Sequence, residues 1–417
     1  MREMKDSGIE WIGKIPTEWK TAQVRYLFKI GRGRVIAQTE LKDDGEYPVF
    51  SSQTKNNGCL GYINTYDFDI EQLTWTTDGA NAGTIFLRIG KHNCTNVCGT
   101  LQPLAKTTNL SYQKFALEHI AFYHKRADTN GYKIMNNEMA AIHTLLPSLE
   151  EQQKISAYLD EKCTKIDTII SKQQKIIEKL KAYKLSLITE TVTKGLNPDV
   201  KMKDSGYEFI GTVPEHWNVC RLRNIGTPQN GISKGGDFFG HGYPFVSYGD
   251  VYRNFLLPET VNGLVETTKE EREQYSVKEG DIFFTRTSET IEEVGFSCVC
   301  EKTIENATFA GFIIRVRPFI DNLLTAFAKY YFRSNHHRFY LVKEMNLVTR
   351  ASLGQNLLKS MPVLLPPKKE QQEIANYLDK KCSAIAEAIA KKQTLIEKLT
   401  EYKKSLIYEV VTGKKEV

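Results

Sequence analysis

The sequence contains one long segment twice, and this repeat limits the possible folds more than any other feature. Residues 146–193 read LPSLEEQQKISAYLDEKCTKIDTIISKQQKIIEKLKAYKLSLITETVT, and residues 365–412 read LPPKKEQQEIANYLDKKCSAIAEAIAKKQTLIEKLTEYKKSLIYEVVT. At an offset of 219 residues, 27 of the 48 aligned positions are identical without a gap. Internal repeats of this kind correspond to repeated structural units. The chain is therefore expected to consist of two related halves.

Each copy of the repeat predicts one long helix. Apolar residues recur at the a and d positions of a seven-residue period, which favours a left-handed coiled coil. Polar residues at 173, 184, 392 and 403 interrupt this stripe, and the nearest partner for each stripe is the other copy. The alternative is two unrelated helices in separate globular cores. The predicted seam, which also includes Cys163 and Cys382, consists of Leu159, Ile166, Ile170, Ile177, Leu180, Leu187, Leu378, Ile385, Ile389, Ile396, Leu399 and Leu406.

A second repeat precedes each insert. Residues 5–19 read KDSGIEWIGKIPTEW and residues 203–217 read KDSGYEFIGTVPEHW, an offset of 198. Together the two repeats bracket an insert at 20–145 and another at 218–364, which share little sequence similarity. The two halves are thus expected to share the structure that these repeats form, which we call the frame, and to differ in their inserts.

Both inserts predict mainly β modules that end in a helix. Short runs rich in Val, Thr, Tyr and Phe, separated by Gly, Asn, Asp and Pro, are typical of strands joined by turns. The predicted helices cover 111–125 and 323–340, and a polar linker at 195–205 separates the halves. The predicted strands are 23–30, 47–51, 60–64, 73–77, 84–89 and 97–101 in the first insert, and 245–247, 281–285, 297–300 and 311–316 in the second.

Composition and missing motifs exclude several classes of protein. The chain has 417 residues, a hydrophobic fraction of 41% and a net charge of +6, which is ordinary for a globular protein of about two domains. No run of 18 apolar residues and no signal region is present, so a cytoplasmic location without membrane association is expected. Eight dispersed cysteines favour a reducing compartment. The absence of P-loop, GxGxxG, HExxH and GxSxG motifs argues against catalysis by this chain.

One cluster of potential metal ligands has a simpler interpretation. His92, Cys94 and Cys98 are close in sequence, but the spacing HxCxxxC matches no common zinc module, and a structural zinc site needs about four ligands. Cysteines packed in strands are favoured over a metal site, and no metal is predicted.

Glycine-rich turns follow the first strand of each insert. Residues 31–34 read GRGR and residues 231–236 read GISKGG. Their backbone N–H groups and the cations Arg32, Arg34 and Lys234 are candidates for phosphate contacts, together with Ser233. The alternative for each turn alone is an ordinary hairpin loop.

Further loops are dense in short polar side chains. Such side chains hydrogen-bond to base edges in the major groove of DNA, although they also form ordinary solvated turns. We predict base contacts for these loops as groups. The candidates are Ser52, Gln53, Thr54, Lys55, Asn56, Thr77, Asp78 and Asn81 in the first insert, and Tyr248, Asp250, Arg286, Thr287 and Ser288 in the second.

These features together resemble a known family. Two long helices that open with LPxxxEQQ, the GxExIGxxPxxW segments and two dissimilar inserts are similar to the DNA specificity subunit of Type I restriction-modification systems. The segments YPVFSSQTKNNG, LTWTTDGANAGT and GDIFFTRTS resemble target-recognition domains of that family.

The resemblance implies an α+β fold: two mainly β target-recognition domains with short helices, joined by two long helices that form an antiparallel coiled coil, in a pseudo-twofold repeat. The implied segments are 1–148 and 206–365 for the target-recognition domains, 149–195 and 366–413 for the helices, and 196–205 for the linker. Each domain would read half of a split, asymmetric site in double-stranded DNA.

The resemblance also implies partners that carry the chemistry. Two modification subunits would bind S-adenosylmethionine and methylate adenine, and two restriction subunits would use ATP and Mg²⁺. The chain itself would be non-catalytic and hold no cofactor. Two alternatives stay open: a coiled-coil scaffold with two protein-binding β modules, and a self-contained nuclease or methyltransferase whose site is not recognised.

Overall fold

The computed structural model describes residues 2–10, 12–105, 108–129, 131–288, 294–319, 321–344 and 351–417. The chain divides into two compact units. Unit 1 comprises Met1–Gln174 and Gln393–Val417, and unit 2 comprises Lys175–Lys392. Each unit therefore contains one insert and one half of each long helix. The finer division into five segments stays a prediction.

Unit 1 is mainly β, with one short and one medium helix before the first long helix. Its elements are β1 (Met4–Asp6), β2 (Lys14–Pro16), β3 (Lys20–Gln23), β4 (Phe28–Arg32), β5 (Tyr47–Phe50), β6 (Cys59–Ile63), β7 (Phe68–Asp69), β8 (Gln72–Thr76), β9 (Asp78–Gly79), β10 (Ile85–Arg88), β11 (Lys91–Cys94), β12 (Cys98–Pro103), α1 (Leu110–His124), β13 (Arg126–Asp128), β14 (Gly131–Lys133), α2 (Asn136–Ala141), β15 (His143–Leu146) and the beginning of α3 (Leu149–Lys194).

Unit 2 contains the end of α3 and a second mainly β module with more short helices. Its elements are β16 (Met202–Asp204), β17 (Thr212–Pro214), β18 (Asn218–Arg221), β19 (Gly226–Asn230), β20 (Phe239–Val246), α4 (Tyr248–Arg253), β21 (Gly263–Val265), α5 (Lys269–Gln274), β22 (Ile282–Thr285), β23 (Thr287–Ser288), β24 (Ser297–Val299), β25 (Thr308–Phe309), β26 (Ile313–Pro318), α6 (Thr325–Tyr331), α7 (Asn335–Glu344), β27 (Ala351–Ser352), α8 (Gln355–Ser360), β28 (Pro362–Leu365) and the beginning of α9 (Lys368–Val411).

The two modules have the same strand order despite their dissimilar sequences. The central sheet of unit 1 runs β10-β8-β12-β4, and that of unit 2 runs β24-β22-β26-β19. In each unit a second sheet contains one parallel pair, β5 with β11 and β20 with β25. The expectation that both inserts follow one plan is confirmed.

Most predicted elements are present, and two are broken. The predicted strand at 23–30 is divided into β3 and β4 by a 3-10 turn that directs fully buried Val24 into the core. The predicted helix at 323–340 is divided into α6 and α7. There, the Ser334 hydroxyl donates to the carbonyl of Tyr331 at 2.5 Å, and Asn335 N–H donates to Thr189 Oγ1 at 2.9 Å. Side chains thus satisfy backbone groups that a continuous helix would pair internally.

The long helices end within two residues of the predicted positions. Ser148 Oγ accepts from the N–H of Glu151 at the start of α3, as expected for an N-terminal cap. Gly195 and Gly413 follow the two helices with φ of +75° and +70°, the left-handed conformation that glycine adopts without strain.

Within each unit the two long helices pack antiparallel. In unit 1, Leu159, Cys163 and Ile166 near the start of α3 share a core with Leu406 and Val410 near the end of α9. In unit 2 the ends are reversed, because Ile188 and Val192 from the end of α3 share a core with Ile374, Leu378 and Cys382 from the start of α9.

All predicted seam residues are buried or half-buried. Leu159, Ile166, Ile177, Leu378, Ile385, Ile396 and Leu406 are at most 9% exposed, whereas Ile170, Leu180, Leu187, Ile389 and Leu399 are half-buried. Towards the end of α3 the buried stripe moves by one residue, from Leu187 to Ile188. An α-helix has 3.6 residues per turn, so a stripe with a period of 3.5 drifts once it packs against a globular module.

An equivalent hydrogen bond joins the two repeats in each unit. The indole N–H of fully buried Trp19 donates to Glu151 at 3.0 Å in unit 1, and Trp217 donates to Glu370 at 3.0 Å in unit 2. This contact explains why the tryptophan of one repeat and the glutamate of the EQQ motif recur together.

The glutamine after that glutamate fastens the start of each long helix to its module. The buried Gln152 side chain accepts from the N–H of Asn109, the N-cap of α1, at 2.9 Å and donates to the Pro147 carbonyl at 3.0 Å. In unit 2, Gln371 makes the same kind of contacts with the backbone of Leu324, Asn322 and Pro366. The EQQ motif thus sets the direction in which each helix leaves its module.

Candidate nucleic-acid interface

Three of the predicted loops of unit 1 are linked by hydrogen bonds. The backbone of Arg34 bridges to Thr95, and the hydroxyl of Thr95 donates to Ser51 Oγ at 3.1 Å. Thr54 in turn accepts from the Asn81 amide at 3.4 Å. The turn at 31–34, the loop at 51–58 and the loop at 77–81 are therefore connected at one end of the module.

Part of the backbone of each glycine-rich turn is used inside its module, and for these N–H groups the expected phosphate contact is wrong. The N–H groups of Gly33 and Arg34 donate to the carbonyls of Cys98 and Cys94, and those of Gly231 and Ile232 donate to the carbonyls of Ile313 and Phe309. A Cβ at Gly33 or at Gly231 would lie within about 2.2 Å of a neighbouring carbonyl oxygen. These glycines allow two backbone segments to approach closely, which is the ordinary structural role.

The cations of these turns differ in their availability. Arg34 donates to Asp67 at 3.1 Å and to Glu40 at 3.1 Å, and the hydrogen bond with Glu40 raises the pKa of its guanidinium. Lys234 is bound to Glu271 at 2.7 Å, and its side chain is only 14% exposed. Both cations therefore hold the module's own carboxylates. Arg32 is exposed and lies 3.6 Å from Met135 Sδ, and Ser233 is exposed.

The loop at 51–58 of unit 1 has an unusual backbone. Asn56, Asn57 and Gly58 all have positive φ, of +50°, +52° and +79°. A non-glycine residue rarely adopts this conformation, so two consecutive asparagines in it mark a specific loop path. Thr54, Lys55 and Asn56 are exposed, whereas Ser52 and Gln53 are half-buried and Gln53 donates to the Cys59 carbonyl.

The two units share a hydrogen-bonded turn after the central strand. In unit 1, Thr76 exchanges backbone hydrogen bonds with Gly83 and Thr84, and its hydroxyl accepts from the N–H of Thr84 at 3.1 Å. In unit 2, Thr285 makes the same three contacts with Gly295 and Phe296. The candidate loops at 77–81 and 286–288 therefore follow the same hydrogen-bonded turn in the two units.

The residues after this turn are presented differently. Thr77 is 1% exposed and its hydroxyl donates to the Val97 carbonyl at 3.0 Å, so its side chain is not available to a base; sequence reasoning was wrong on this residue. Asp78 is half-buried on β9, and Asn81 is exposed. In unit 2, Arg286 and Thr287 are half-buried, and the side chain of Ser288 lies outside the described part of the chain.

The segment of unit 2 that corresponds to the 51–58 loop is a short helix. Ser247 caps α4, and the Asp250 carboxylate accepts from the Ser247 N–H at 2.8 Å and from its hydroxyl at 2.7 Å. The carboxylate of Asp250 therefore serves this cap. Tyr248 is half-buried and stacks on Tyr252 with ring centroids 5.9 Å apart.

Sequence reasoning missed two arginines that contact these segments from inside the protein. Arg88, which is 2% exposed, donates to the Asn57 carbonyl at 2.7 Å and to Thr74 Oγ1 at 3.0 Å. Arg333 donates to the carbonyls of Val251, Tyr252 and Asn254 at 2.7–2.9 Å. Burial lowers the pKa of each guanidinium to about 10, so both remain charged at neutral pH.

The histidine of the HxCxxxC segment is hydrogen-bonded within unit 1. His92 is buried, with Nε2 2.8 Å from the Gln72 amide nitrogen and Nδ1 2.7 Å from the Gly90 carbonyl oxygen. Across the described residues, no group of three or more potential ligands has geometry suited to a metal ion. In the same residues no helix is both long and apolar enough to span a bilayer.

Comparison with solved structures identifies the class of fold. A chain from the work "Structural basis underlying complex assembly and conformational transition of the type I R-M system" superimposes with a TM-score of 0.71 at 14% identity, covering 96% of this chain and 99% of that one. The HsdS subunit from Thermoanaerobacter tengcongensis superimposes with a TM-score of 0.50 at 15% identity, covering 96% of this chain and 98% of that one. The fold is therefore that of a duplicated specificity subunit.

The chain belongs to the Type I restriction modification DNA specificity domain family. The family model matches twice, at residues 16–182 and 214–398. The Type I restriction enzyme MjaVIII specificity subunit of Methanocaldococcus jannaschii is 26% identical over 96% of this chain and 94% of its own length. The putative type I specificity subunit S.MpnORF507P of Mycoplasma pneumoniae is 37% identical over 37% of this chain, a match that spans 44% of that relative.

Proposed function

We propose that this chain is the sequence-reading subunit of a Type I restriction-modification complex, in which each unit reads one half of a split site in double-stranded DNA. The observation that carries the proposal is the contrast between a shared frame and unlike surface segments. Both units have the same strand order and the same threonine turn, but a left-handed loop in unit 1 replaces helix α4 of unit 2. Unlike segments at equivalent positions favour two half-sites of different sequence.

Few contacts per unit are enough for this task. A good pair of hydrogen bonds to a base edge contributes about 1–3 kcal/mol of discrimination. Two readers joined by stiff helices must engage together, which multiplies their selectivity and fixes the gap between half-sites. With Arg34 and Lys234 held by carboxylates, we expect much of the phosphate contact to come from partner subunits.

Matched surface residues on the long helices favour two copies of one partner. Surface group 1, in unit 1, consists of exposed Leu395, Lys398 and Tyr402 of α9 together with half-buried Tyr158 and Lys162 of α3. Tyr402 is 55% and Leu395 41% exposed, and Lys162 lies 5.6 Å from the Tyr158 ring. Tyr158 also packs against the core, whereas Leu395, Lys398 and Tyr402 are exposed and available to a partner.

Surface group 2, in unit 2, consists of the residues at the equivalent positions of the repeat, Ile176, Lys179, Tyr183, Tyr377 and Lys381, with isoleucine in place of leucine. Tyr183 is 57% exposed and Ile176 is 36% exposed, and Lys381 lies 5.7 Å from the Tyr377 ring, with Lys179 exposed between the first two. A partner that meets both units in the same way accounts for the match. We assign these two surface groups to two modification subunits, one per unit.

The remaining assignments follow from this division of labour. The modification subunits would bind S-adenosylmethionine and methylate adenine. Two restriction subunits would supply ATP- and Mg²⁺-dependent translocation and cleavage, and this chain would hold no cofactor. The complex would act in the cytoplasm, where its DNA is.

The number of modification subunits bound to this chain tests the docking assignment. Native mass spectrometry of the complex of this chain with its modification subunits should show two copies bound to wild-type chain and one copy bound to either Tyr402→Glu or Tyr183→Glu. Exposed Tyr123→Glu is the matched control and should retain two copies. Two retained copies in both test variants would contradict the assignment.

The reading function is tested by titrating the assembled complex against labelled duplexes. Affinity should fall with salt for every duplex, and a duplex with both half-sites at the right gap should bind most tightly. Inserting one base pair into the gap should remove most of that preference. Binding without salt dependence or sequence preference would favour the scaffold alternative.

A further inference from the structure

In both units an arginine holds the segment that we assign to base reading: Arg88, which is buried, in unit 1 and Arg333, which is half-buried, in unit 2. In unit 1, Arg88 on β10 contacts the 51–58 loop at Asn57, 31 residues earlier in the chain. In unit 2, Arg333 follows α6 and reaches the end of the segment 247–254, which is about 80 residues earlier. The two arginines occupy unrelated positions in the two modules.

Both contacts are made to backbone carbonyls. Arg88 Nη1 donates to the carbonyl of Asn57, in the middle of the three left-handed residues. Arg333 Nη2 lies 2.8, 2.9 and 2.7 Å from the carbonyl oxygens of Val251, Tyr252 and Asn254. These carbonyls lie at the end of α4, where the helix offers no N–H group to pair with them. A contact with the backbone fixes the path of a segment without constraining which side chains it carries.

Neither arginine has a carboxylate among its hydrogen-bond partners in the described residues. The Arg88 guanidinium lies 3.6 Å from the Phe50 ring centroid and 4.4 Å from that of Phe86, and Arg333 lies 5.1 and 4.9 Å from the rings of Phe255 and Phe296. Ring faces and carbonyl oxygens therefore stabilise each charge. Burying a cation without an anion is costly, so its presence beside both segments calls for a specific role.

Arg88 is also close to the most constrained residue of its loop. A Cβ at Gly58 would lie 2.9 Å from Arg88 Nη2 and 3.1 Å from the carbonyl oxygen of Gln53. Nη2 is buried and has no hydrogen-bond partner among the described residues, although it is directed towards the inner side of the loop. The guanidinium thus fills the space that the left-handed backbone encloses.

Resting on the proposed function, we infer that Arg88 and Arg333 are positioning residues, each of which preorganises the reading segment of its own unit through the backbone. Neither touches DNA in this account. Replacing either arginine does not change the residues of the reading segment, but the backbone that positions them is no longer fixed. Base discrimination therefore falls at one half-site only. The same device allows the reading side chains to change while the clamp is kept.

The experiment uses the assembled complex and two DNA libraries, each randomised in one half-site with the other held constant. Arg88→Met should reduce discrimination at one half-site by about tenfold or more and leave the other unchanged, and Arg333→Met should do the reverse. Arg88→Lys keeps a cation but only one of the contacts, and should give an intermediate loss.

Arg315→Met is the matched control. Arg315 is 5% exposed, burial lowers its pKa to about 10, and it donates to Ser276 and Gln229, outside the reading segments. The Arg315→Met variant should have a lowered melting temperature, as the test variants do, but should keep both half-site preferences. Loss of discrimination at both half-sites, at neither, or equally in Arg315→Met would overturn the inference. A wild-type complex without a two-part preference would instead count against the proposed function.

Discussion

Unit 1 and unit 2 agree in their frames and differ in the segments that the frames carry. Trp19 with Glu151 and Trp217 with Glu370 form the same bond at the same length. The central sheets have one strand order. Directly after equivalent strands, however, unit 1 has a loop with three left-handed residues and unit 2 has the capped helix α4. Hydrogen bonds of the frame are therefore conserved between the units while the candidate reading surface is free to diverge.

The largest expected effect tests whether the two frames are equivalent. Trp19→Ala and Trp217→Ala each remove a fully buried indole and its bond to a glutamate, and each should lower the free energy of unfolding of its unit by about 3–5 kcal/mol. Hydrogen exchange followed by mass spectrometry, in increasing urea, measures this separately for peptides of each unit.

The milder variants Trp19→Phe and Trp217→Phe replace the indole by a smaller aromatic ring and leave the glutamate without its indole donor. Each should cost about 1–3 kcal/mol. Costs that differ strongly between the two units would show that their frames are not equivalent after all.

An effect of intermediate size is an acid dependence of folding stability that we expect for unit 2. In unit 2, His336 and His337 are buried with ring centroids 4.0 Å apart, and burial lowers the pKa of His336 to about 3. The unfolded chain binds this proton near pH 6.5 and the folded unit does not. The stability that neutral His336 contributes is therefore fully present above pH 6.5 and is lost by about 1.4 kcal/mol per pH unit as pH falls towards 3.

The matched variant for this effect is His336→Gln, whose amide can still pair with Ser334. It should reduce the acid dependence of exchange in unit 2 peptides by the contribution of His336, leave the contribution of buried His337, and leave unit 1 peptides as they were. An unchanged slope in unit 2 would mean that His336 does not remain neutral in the folded unit.

The smallest effect concerns the charged positions of the helix pair. In unit 1, Lys403 donates to Asp167 at 2.7 and 2.8 Å. The repeat places Ala386 and Lys184 at the equivalent positions of unit 2, where Lys184 lies 5.5 Å from the Phe255 ring instead. The pair is partly exposed, so its coupling energy should be about 0.2–1 kcal/mol.

A double-mutant cycle on Asp167 and Lys403 measures that coupling, and Ala386→Asp combined with Lys184→Met tests whether unit 2 acquires it. Both couplings should be largely screened at 1 M salt. A coupling that is insensitive to salt would argue against a charge interaction.

The sequence predicts the frame well because its signals are local and repeated. A 3.5-residue apolar period with a cap at Ser148 and glycines at 195 and 413 places both long helices within two residues. Short β-rich runs between turn residues predict most strands for the same reason.

The candidate site is predicted less well because its decisive contacts join distant parts of the chain. Nothing near Thr77 indicates that its hydroxyl pairs with Val97, and nothing near Gly33 indicates that its N–H pairs with Cys98. Arg88 and Arg333 contact carbonyls 31 and about 80 residues away, and no local pattern marks a strand or loop arginine as a backbone clamp.

The central claim is that two unlike readers in one frame recognise the two halves of one DNA site. The most direct measurement is the sequence of every DNA site methylated by the complete wild-type complex. The account predicts one motif composed of two dissimilar half-sites separated by a constant number of unspecified base pairs. A single uninterrupted motif, two identical half-sites, or a gap of variable length would contradict it.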